Sequence, residues 1–191
     1  MGNRFAVIDT ETTWGDDVMS IGVAIADCRT FDLIKERYYI LTPFKNQRGM
    51  FSNVLYLKEP DLECSRESAM LDLKICLTQY GVEDIFAYNS LFDYRHLPEL
   101  SSFRWFDIIK VAAYRQYNKK IPASFECFKT GKLKRGYGVE EIYRMLSEGS
   151  YYEKHNALTD AVDELAIMRM LSLDYSEFSV ARITPVGIPI R

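Results

Sequence analysis

Two runs near the N-terminus leave this chain few folds. Residues 4–11 (RFAVIDTE) and 18–27 (VMSIGVAIAD) are rich in apolar and β-branched residues, and only a short gap divides them. A third run, residues 35–42 (KERYYILT), follows after another short gap and is closed by Pro43. Gaps this short leave no room for a crossover helix, so the three runs are predicted to form an antiparallel meander.

The period then changes. Residues 65–80 place Ala69, Met70, Leu73, Cys76, Leu77 and Tyr80 at helical spacing, with Gly81 as the stop. DIFAYN (84–89) reads as a strand feeding a short helix that ends near Pro98. RWFDII (104–109) reads as another strand, with Asp107 capping a helix through IIKVAAYRQY (108–117). GVEEIYRMLS (138–147) is a short helix closed by Gly149, and Asn156 caps a last long helix from Ala157 to about Leu171. Residues 44–63 show no sustained period, and residues 118–137, with Pro122, Gly131 and Gly136, read as a loop. Strands first, then alternating helices and strands, predict an α/β fold: a mixed sheet with helices on both faces. The expected organisation is one domain over residues 1–173 and a tail over 174–191, either a docking arm or a disordered end.

Bulk properties exclude several classes. With 48% hydrophobic and 27% charged residues among 191, the composition is that of a globular domain. No stretch approaches the ~20 apolar residues of a membrane span. The start, MGNRFAVID, lacks a signal-peptide core. Cys28, Cys64, Cys76 and Cys127 are scattered, and they are expected to be reduced thiols in a cytoplasmic protein. A net charge of −3 argues against coating nucleic acid by bulk charge and leaves room for a local basic patch.

Chemistry concentrates where the first strand ends. Side chains alternate along a strand, so Asp9 and Glu11 point the same way, with Phe5 and Val7 behind them. Two close carboxylates repel unless they are solvated, share a proton or hold a cation. The apolar run behind them sets the pair at the lip of a core, where unpaired charge is costly. A hard divalent ion, magnesium or manganese, is the simplest remedy. Further ligands must then come from elsewhere, and two acids are candidates: Asp93 in YNSLFDYRHL, on the short helix, and Asp160 in HNALTDAVDEL, in the first turn of the capped helix. His155 stands just outside that helix. His96 follows Asp93 by one turn, although RHLP also reads as an ordinary helix end. Asp163 and Glu164, a turn beyond Asp160, either orient a metal-bound water or, the favoured reading, form a solvated helix face.

VIDTETT, YNSLFD and HNALTD resemble the three motifs of the DEDDh 3′–5′ exonucleases, the family of the bacterial replicative proofreading subunit, ribonuclease T and oligoribonuclease. The resemblance runs from about Phe5 to Leu171. It implies a ribonuclease H-like fold, with a mixed five-stranded sheet whose first strand is central. It implies that Asp9, Glu11, Asp93 and Asp160 hold two Mg2+ or Mn2+ ions and that His155 is the general base. The implied reaction is phosphodiester hydrolysis at the 3′ end of DNA or RNA, releasing nucleoside 5′-monophosphates. The implied partners are a nucleic acid with a free 3′ end and a polymerase, replication or repair complex, with no membrane. The chain departs from the pattern in two places: Trp14 intervenes before Gly15, and Tyr88 stands where many members carry histidine.

Candidate substrate contacts follow. Thr12 and Trp14 lie in the first motif's turn, where Trp14 can stack on a base or anchor the loop. Asn89 matches the family's asparagine. Lys132, Lys134 and Arg135, in a loop with Lys119, Lys120 and Lys129 and opposed there only by Glu126, can track a phosphate backbone, with Phe125, Phe128 and Tyr137 for stacking. Two rivals are a nucleic-acid-binding or polymerase-associated module with little activity of its own, and a phosphatase using an aspartate nucleophile. Glu11 in the second acidic position counts against the phosphatase.

Overall fold

The computed structural model describes residues 3–44 and 50–184. In chain order the strands are β1 (Arg4–Thr12), β2 (Val18–Asp27), β3 (Leu33–Leu41), β4 (Leu62–Cys64), β5 (Asp84–Ala87) and β6 (Arg104–Asp107). The helices are α1 (Arg66–Gln79), α2 (Leu91–His96), α3 (Ile109–Ala112), α4 (Val139–Ser147) and α5 (Ala157–Met170). One six-stranded sheet runs in the order β4-β3-β2-β1-β5-β6. β1, β2 and β3 form the antiparallel meander, β5 pairs parallel with β1, and β6 pairs parallel with β5.

The expected count of five strands is one short. β4 pairs parallel with β3, matching Tyr39–Leu41 to Leu62–Cys64. Three residues are too few to show alternation, so this strand exists because the outer edge of β3 offers unpaired backbone groups. The same aperiodic segment holds a 3₁₀ helix over Met50–Leu57. The helix expected over residues 108–117 stops at Ala112. There the backbone turns outward instead: Arg115 N–H donates to Gly131 O at 3.0 Å, and Leu133 N–H to Ala113 O at 2.9 Å. Asp107 still serves the start of that helix, accepting from Ile109 N–H at 3.0 Å. α4 ends on Glu148, in the left-handed conformation at φ 56°, one residue before Gly149.

Alternation along β1 divides the core in two. Ala6 and Ile8 join Leu73 and Leu77 of α1 with Tyr94 of α2. Phe5 and Val7 join Ala161, Leu165 and Met168 of α5, Ile142 of α4 and Phe178. Phe178 belongs to a 3₁₀ helix over Tyr175–Ala181, opened by a reciprocal Asp174–Glu177 capping box. Further along, Ile183 N–H donates to Trp105 O of β6 at 2.9 Å. Residues 185–191 lie outside the described residues. Among the described residues, the four cysteines are not joined in disulfides. No helix among the described residues is long and apolar enough to cross a membrane.

α5 is placed by its cap and by a glycine. Asn156 is buried; its Oδ1 accepts from Thr159 N–H at 3.2 Å, and its Nδ2 donates to Tyr38 Oη at 3.0 Å and Val54 O at 2.9 Å. The cap thus ties the helix start to β3 and to the 3₁₀ helix before β4. Gly22 of β2 pairs across from Asp9. A Cβ on Gly22 would stand 2.0 Å from Ala157 O and 2.2 Å from Leu158 N, so only glycine lets the first turn of α5 lie on the sheet. Gly22→Ala is therefore expected to push α5 off the strand and to cost about 1–3 kcal/mol, read as a fall in the chemical-denaturation midpoint. An unchanged midpoint would refute this account of the packing.

Candidate active site

Four chain segments converge at the C-terminal end of β1. Asp9 and Glu11 project from that strand toward the layer containing α5. Thr10, on the opposite side, donates its hydroxyl to Asp93 Oδ1 at 2.8 Å and so fixes α2 against the strand. The first turn of α5, held close by Gly22, delivers Asp160. His155 and Asn156 form the approach to that turn. Glu11, His155 and Asp160 each present a ligand-type atom within 4.8 Å of the others.

The structure brings Glu11 and Asp160 together with His155, and Asp9 and Asp93 stand on β1 and α2. Glu11, Asp93 and Asp160 are buried, and Asp9 is partly exposed with its Oδ2 atom enclosed. Among the described residues, Asp9 Oδ2 and Asp160 Oδ1 have no hydrogen-bond partner. Burial raises the carboxyl pKa of Asp9 well above its usual range, and the charges of Glu164, Asp93, Glu11 and Asp160 push the same way. Burial, then the nearby Asp160 and Glu153 charges, raises Glu11 to about 8. Asp93 rises to about 7 through burial, against the hydrogen bond from Thr10. Asp160 also rises to about 7, through burial and then the charges of Glu153 and Asp163. Buried, mutually repelling oxygen ligands of this kind are the donor set of a hard divalent cation.

His155 sits in the left-handed region at φ 54°. That is a costly conformation for a non-glycine residue, and it is held here by the structure around it. Its ring stacks on Phe51, with centroids 3.8 Å apart and planes 15° from parallel. Burial lowers its pKa, keeping the imidazole neutral and able to accept a proton near pH 7. Phe51 went unnoticed in the sequence because it lies in the aperiodic segment 44–63.

Glu164 overturns the expectation of a solvated helix face. It is 2% exposed, and its Oε2 accepts from Tyr88 N–H at 3.0 Å. The signal was available: Asp160, Ala161, Glu164, Leu165 and Met168 form one buried stripe on α5. Asp163 lies to its side and accepts from Tyr151 Oη at 2.8 Å. His96 is held in the structure: its ring nitrogens lie 2.8 Å from Phe92 O and 3.0 Å from Asp16 Oδ1. That contact pins α2 to the turn between β1 and β2.

The candidate substrate contacts have varied settings. Thr12 is buried at the end of β1, whereas Trp14 is 76% exposed, so it does not anchor its turn by burial. Thr13 Oγ1 organises that turn by accepting from Gly15 N–H at 3.1 Å and Asp17 N–H at 3.2 Å. Asn89, at φ 63°, donates its N–H to Asp107 Oδ1 at 3.1 Å. Tyr88, in the place of a histidine, donates its hydroxyl to Tyr137 O at 2.5 Å and so ties the basic loop to the site. Lys132 Nζ lies 4.7 Å from the centre of the Tyr137 ring, and Lys134 Nζ lies 3.7 Å from Glu126. Arg135 lines a surface cavity of about 440 Å³ with Phe125, Glu126 and Gly136. Lys120 pairs with Glu148 of the α4 terminus, an acid outside the loop that the sequence did not connect with it.

No family profile and no curated protein sequence matches the chain. Solved structures share its fold. The nuclease domain of 3′hExo, a DEDDh family member crystallised with rAMP, aligns with 95% of this chain and 96% of its own, at a TM-score of 0.65 and 15% identity. A 3′-exonuclease described by its 3′-end-specific recognition of the histone mRNA stem-loop aligns with 99% of this chain and 73% of its own, at a TM-score of 0.65 and 12% identity. E. coli exonuclease I in its zinc-bound complex with single-stranded DNA aligns with 90% of this chain, at a TM-score of 0.58 and 13% identity. The chain spans 40% of the length of that exonuclease I. The mixed sheet with helices on both faces is thus a fold that the chain shares with these solved 3′-exonucleases.

Proposed function

We propose that the chain is a metal-dependent 3′–5′ exonuclease acting on DNA or RNA and releasing nucleoside 5′-monophosphates. The observation that carries this reading is the convergence of Glu11, His155 and Asp160, whose ligand-type atoms lie within 4.8 Å of one another, together with two enclosed carboxylate oxygens, Asp9 Oδ2 and Asp160 Oδ1, that have no hydrogen-bond partner among the described residues. The donor set fits hard cations, and Asp9, Glu11, Asp93 and Asp160 are the residues that would hold two Mg2+ or Mn2+ ions. Bound there, such ions would polarise a phosphoryl oxygen and offset the charge that develops on it.

The protein's own groups supply the rest. His155, neutral near pH 7, takes a proton from the attacking water at a ring nitrogen. The Phe51 ring lies against it and limits the orientations it can adopt. Thr10 keeps Asp93 turned toward β1, and the Asn156 cap keeps Asp160 turned toward Glu11. Exposed Trp14 offers a stacking surface beside the site, and Asn89 a polar group at the start of α2. Lys132, Lys134 and Arg135 supply positive charge for a phosphate backbone, on a loop that Tyr88 and Tyr137 tie to the site. The structural neighbours, solved with single-stranded DNA, an RNA stem-loop or rAMP, support a nucleic-acid substrate with a free 3′ end.

With a 5′-labelled oligonucleotide, Mg2+ or Mn2+ should produce a ladder shortened one nucleotide at a time from the 3′ end. EDTA should stop it, and added metal should restore it. His155→Ala should lower kcat by about 10²–10⁴-fold, and Asp160→Asn should abolish turnover, both with an unchanged circular dichroism spectrum. A protein that binds the oligonucleotide without shortening it, across several metals and both DNA and RNA, would be the binding module instead.

The site also sets a pH dependence of stability. Carboxyl groups with raised pKa in the folded protein bind protons that the unfolded chain releases more readily. In chelator, stability should therefore be greatest below about pH 4 as far as these groups are concerned. It should fall as pH rises through about 7 for Asp93 and Asp160 and about 8 for Glu11. Saturating Mn2+ should flatten or reverse that fall in melting temperature. A metal-free melting temperature that rises from pH 5 to 8 would contradict it.

A further inference from the structure

Glu164 lies outside the four acids and the histidine that make up the proposed site, yet it is as buried as Asp93 and Asp160, each 2% exposed. It sits one helical turn beyond Asp160 on the same stripe of α5. Its Oε2 accepts from Tyr88 N–H at 3.0 Å, just where the chain leaves β5 for the turn that leads to Asp93. On that stripe the side chain turns away from solvent and into the protein. A buried acid that served only to cap Tyr88 N–H would be replaced at less cost by an amide, which offers the same acceptor without charge. On the same stripe Asp160 Oδ1, and on β1 Asp9 Oδ2, are enclosed with no hydrogen-bond partner among the described residues.

We propose that Glu164 is a fifth carboxylate of the metal site, whose negative charge behind Asp9, Asp93 and Asp160 raises the affinity for divalent cations. The inference rests on the reading of those acids as a divalent-ion site. Glu164 is a positioning and charge-setting residue. It reaches neither the nucleic acid nor the attacking water, and its tie to Tyr88 keeps it behind the ligands.

The test is Mn2+ binding by the full chain without nucleic acid, followed by titration calorimetry and by the loss of the free Mn2+ electron paramagnetic resonance signal. Glu164→Gln keeps an acceptor for Tyr88 N–H and removes the charge; it should weaken Mn2+ binding about 10-fold, or about 1.4 kcal/mol. Glu164→Met removes charge and acceptor together and should weaken binding at least as much. Glu164→Asp keeps the charge and should stay within about threefold of wild type. Circular dichroism melts in chelator establish that each variant is folded. Folded Glu164→Gln or Glu164→Met with wild-type Mn2+ affinity overturns the inference. So does an equal loss in Glu164→Gln and Glu164→Asp, which would assign the effect to the Tyr88 turn and not to charge. Wild type that takes up no Mn2+ overturns the metal reading itself and this inference with it, whereas wild type that binds while Glu164→Gln matches it overturns this inference alone.

Discussion

The first turn of α5 rests on the backbone of β2, and the site depends on that contact. Ala157 and Leu158 occupy the space that a side chain on residue 22 would need. Since residue 22 pairs with Asp9, the close approach falls beside the acids of β1. The helix N-terminus thereby brings Asp160 and, just before it, His155 to Glu11. The approach is locked from the other side by Asn156, whose amide reaches Tyr38 and Val54 while its oxygen caps the helix. Backbone contact and a satisfied polar cap together give α5 one position along the strand, and carboxylate geometry requires that precision.

Placement of this kind works against stability. Burial raises the carboxyl pKa of Asp9, Glu11, Asp93, Asp160 and Glu164, and repulsion from others of the group adds to it at Asp9, Glu11 and Glu164. A core that merely needed to be stable would hold apolar residues there. The structure tolerates the cluster because each acid sits on a rigid element. Thr10 and Tyr88 donate to two of them from β1 and from the end of β5. His155 follows the same pattern, strained at φ 54° and braced by the Phe51 ring. Strain and uncompensated charge gather where a cation and a phosphate would relieve them.

Legibility in the sequence varied with the range of the cause. β1, β2 and β3 were readable because each carries its own alternation and short connections dictate their pairing. α1 was readable from its period and α5 from its cap and period, where Asn156 accepts from Thr159 N–H as expected. β4 was not, because three residues become a strand only when an edge is there to pair with. The helix after β6 was overestimated, because Gly131 and Leu133 compete for its backbone groups from a distant part of the loop. Glu164 was misplaced for a different reason. Its charge suggested water, while its position on the α5 stripe pointed into the protein, and the stripe prevailed. The Phe51–His155 stack joins an aperiodic segment to a residue about a hundred positions away, and no local pattern announces it.

What the chain alone determined was chemistry with a short reach: which segments are strands and helices, where the caps lie, and which acids and which histidine stand at strand and helix ends. Side-chain alternation and capping act over a few residues, so they can be read without coordinates. What only the tertiary structure decided was convergence. That Asp93 turns toward β1 through Thr10, that Asp160 meets Glu11 and His155, and that Glu164 faces inward all depend on backbone packing at Gly22 and on edges that exist only in the assembled sheet. Close packing is a property of surfaces brought together from remote parts of the chain, and it gives those separate acids a common site.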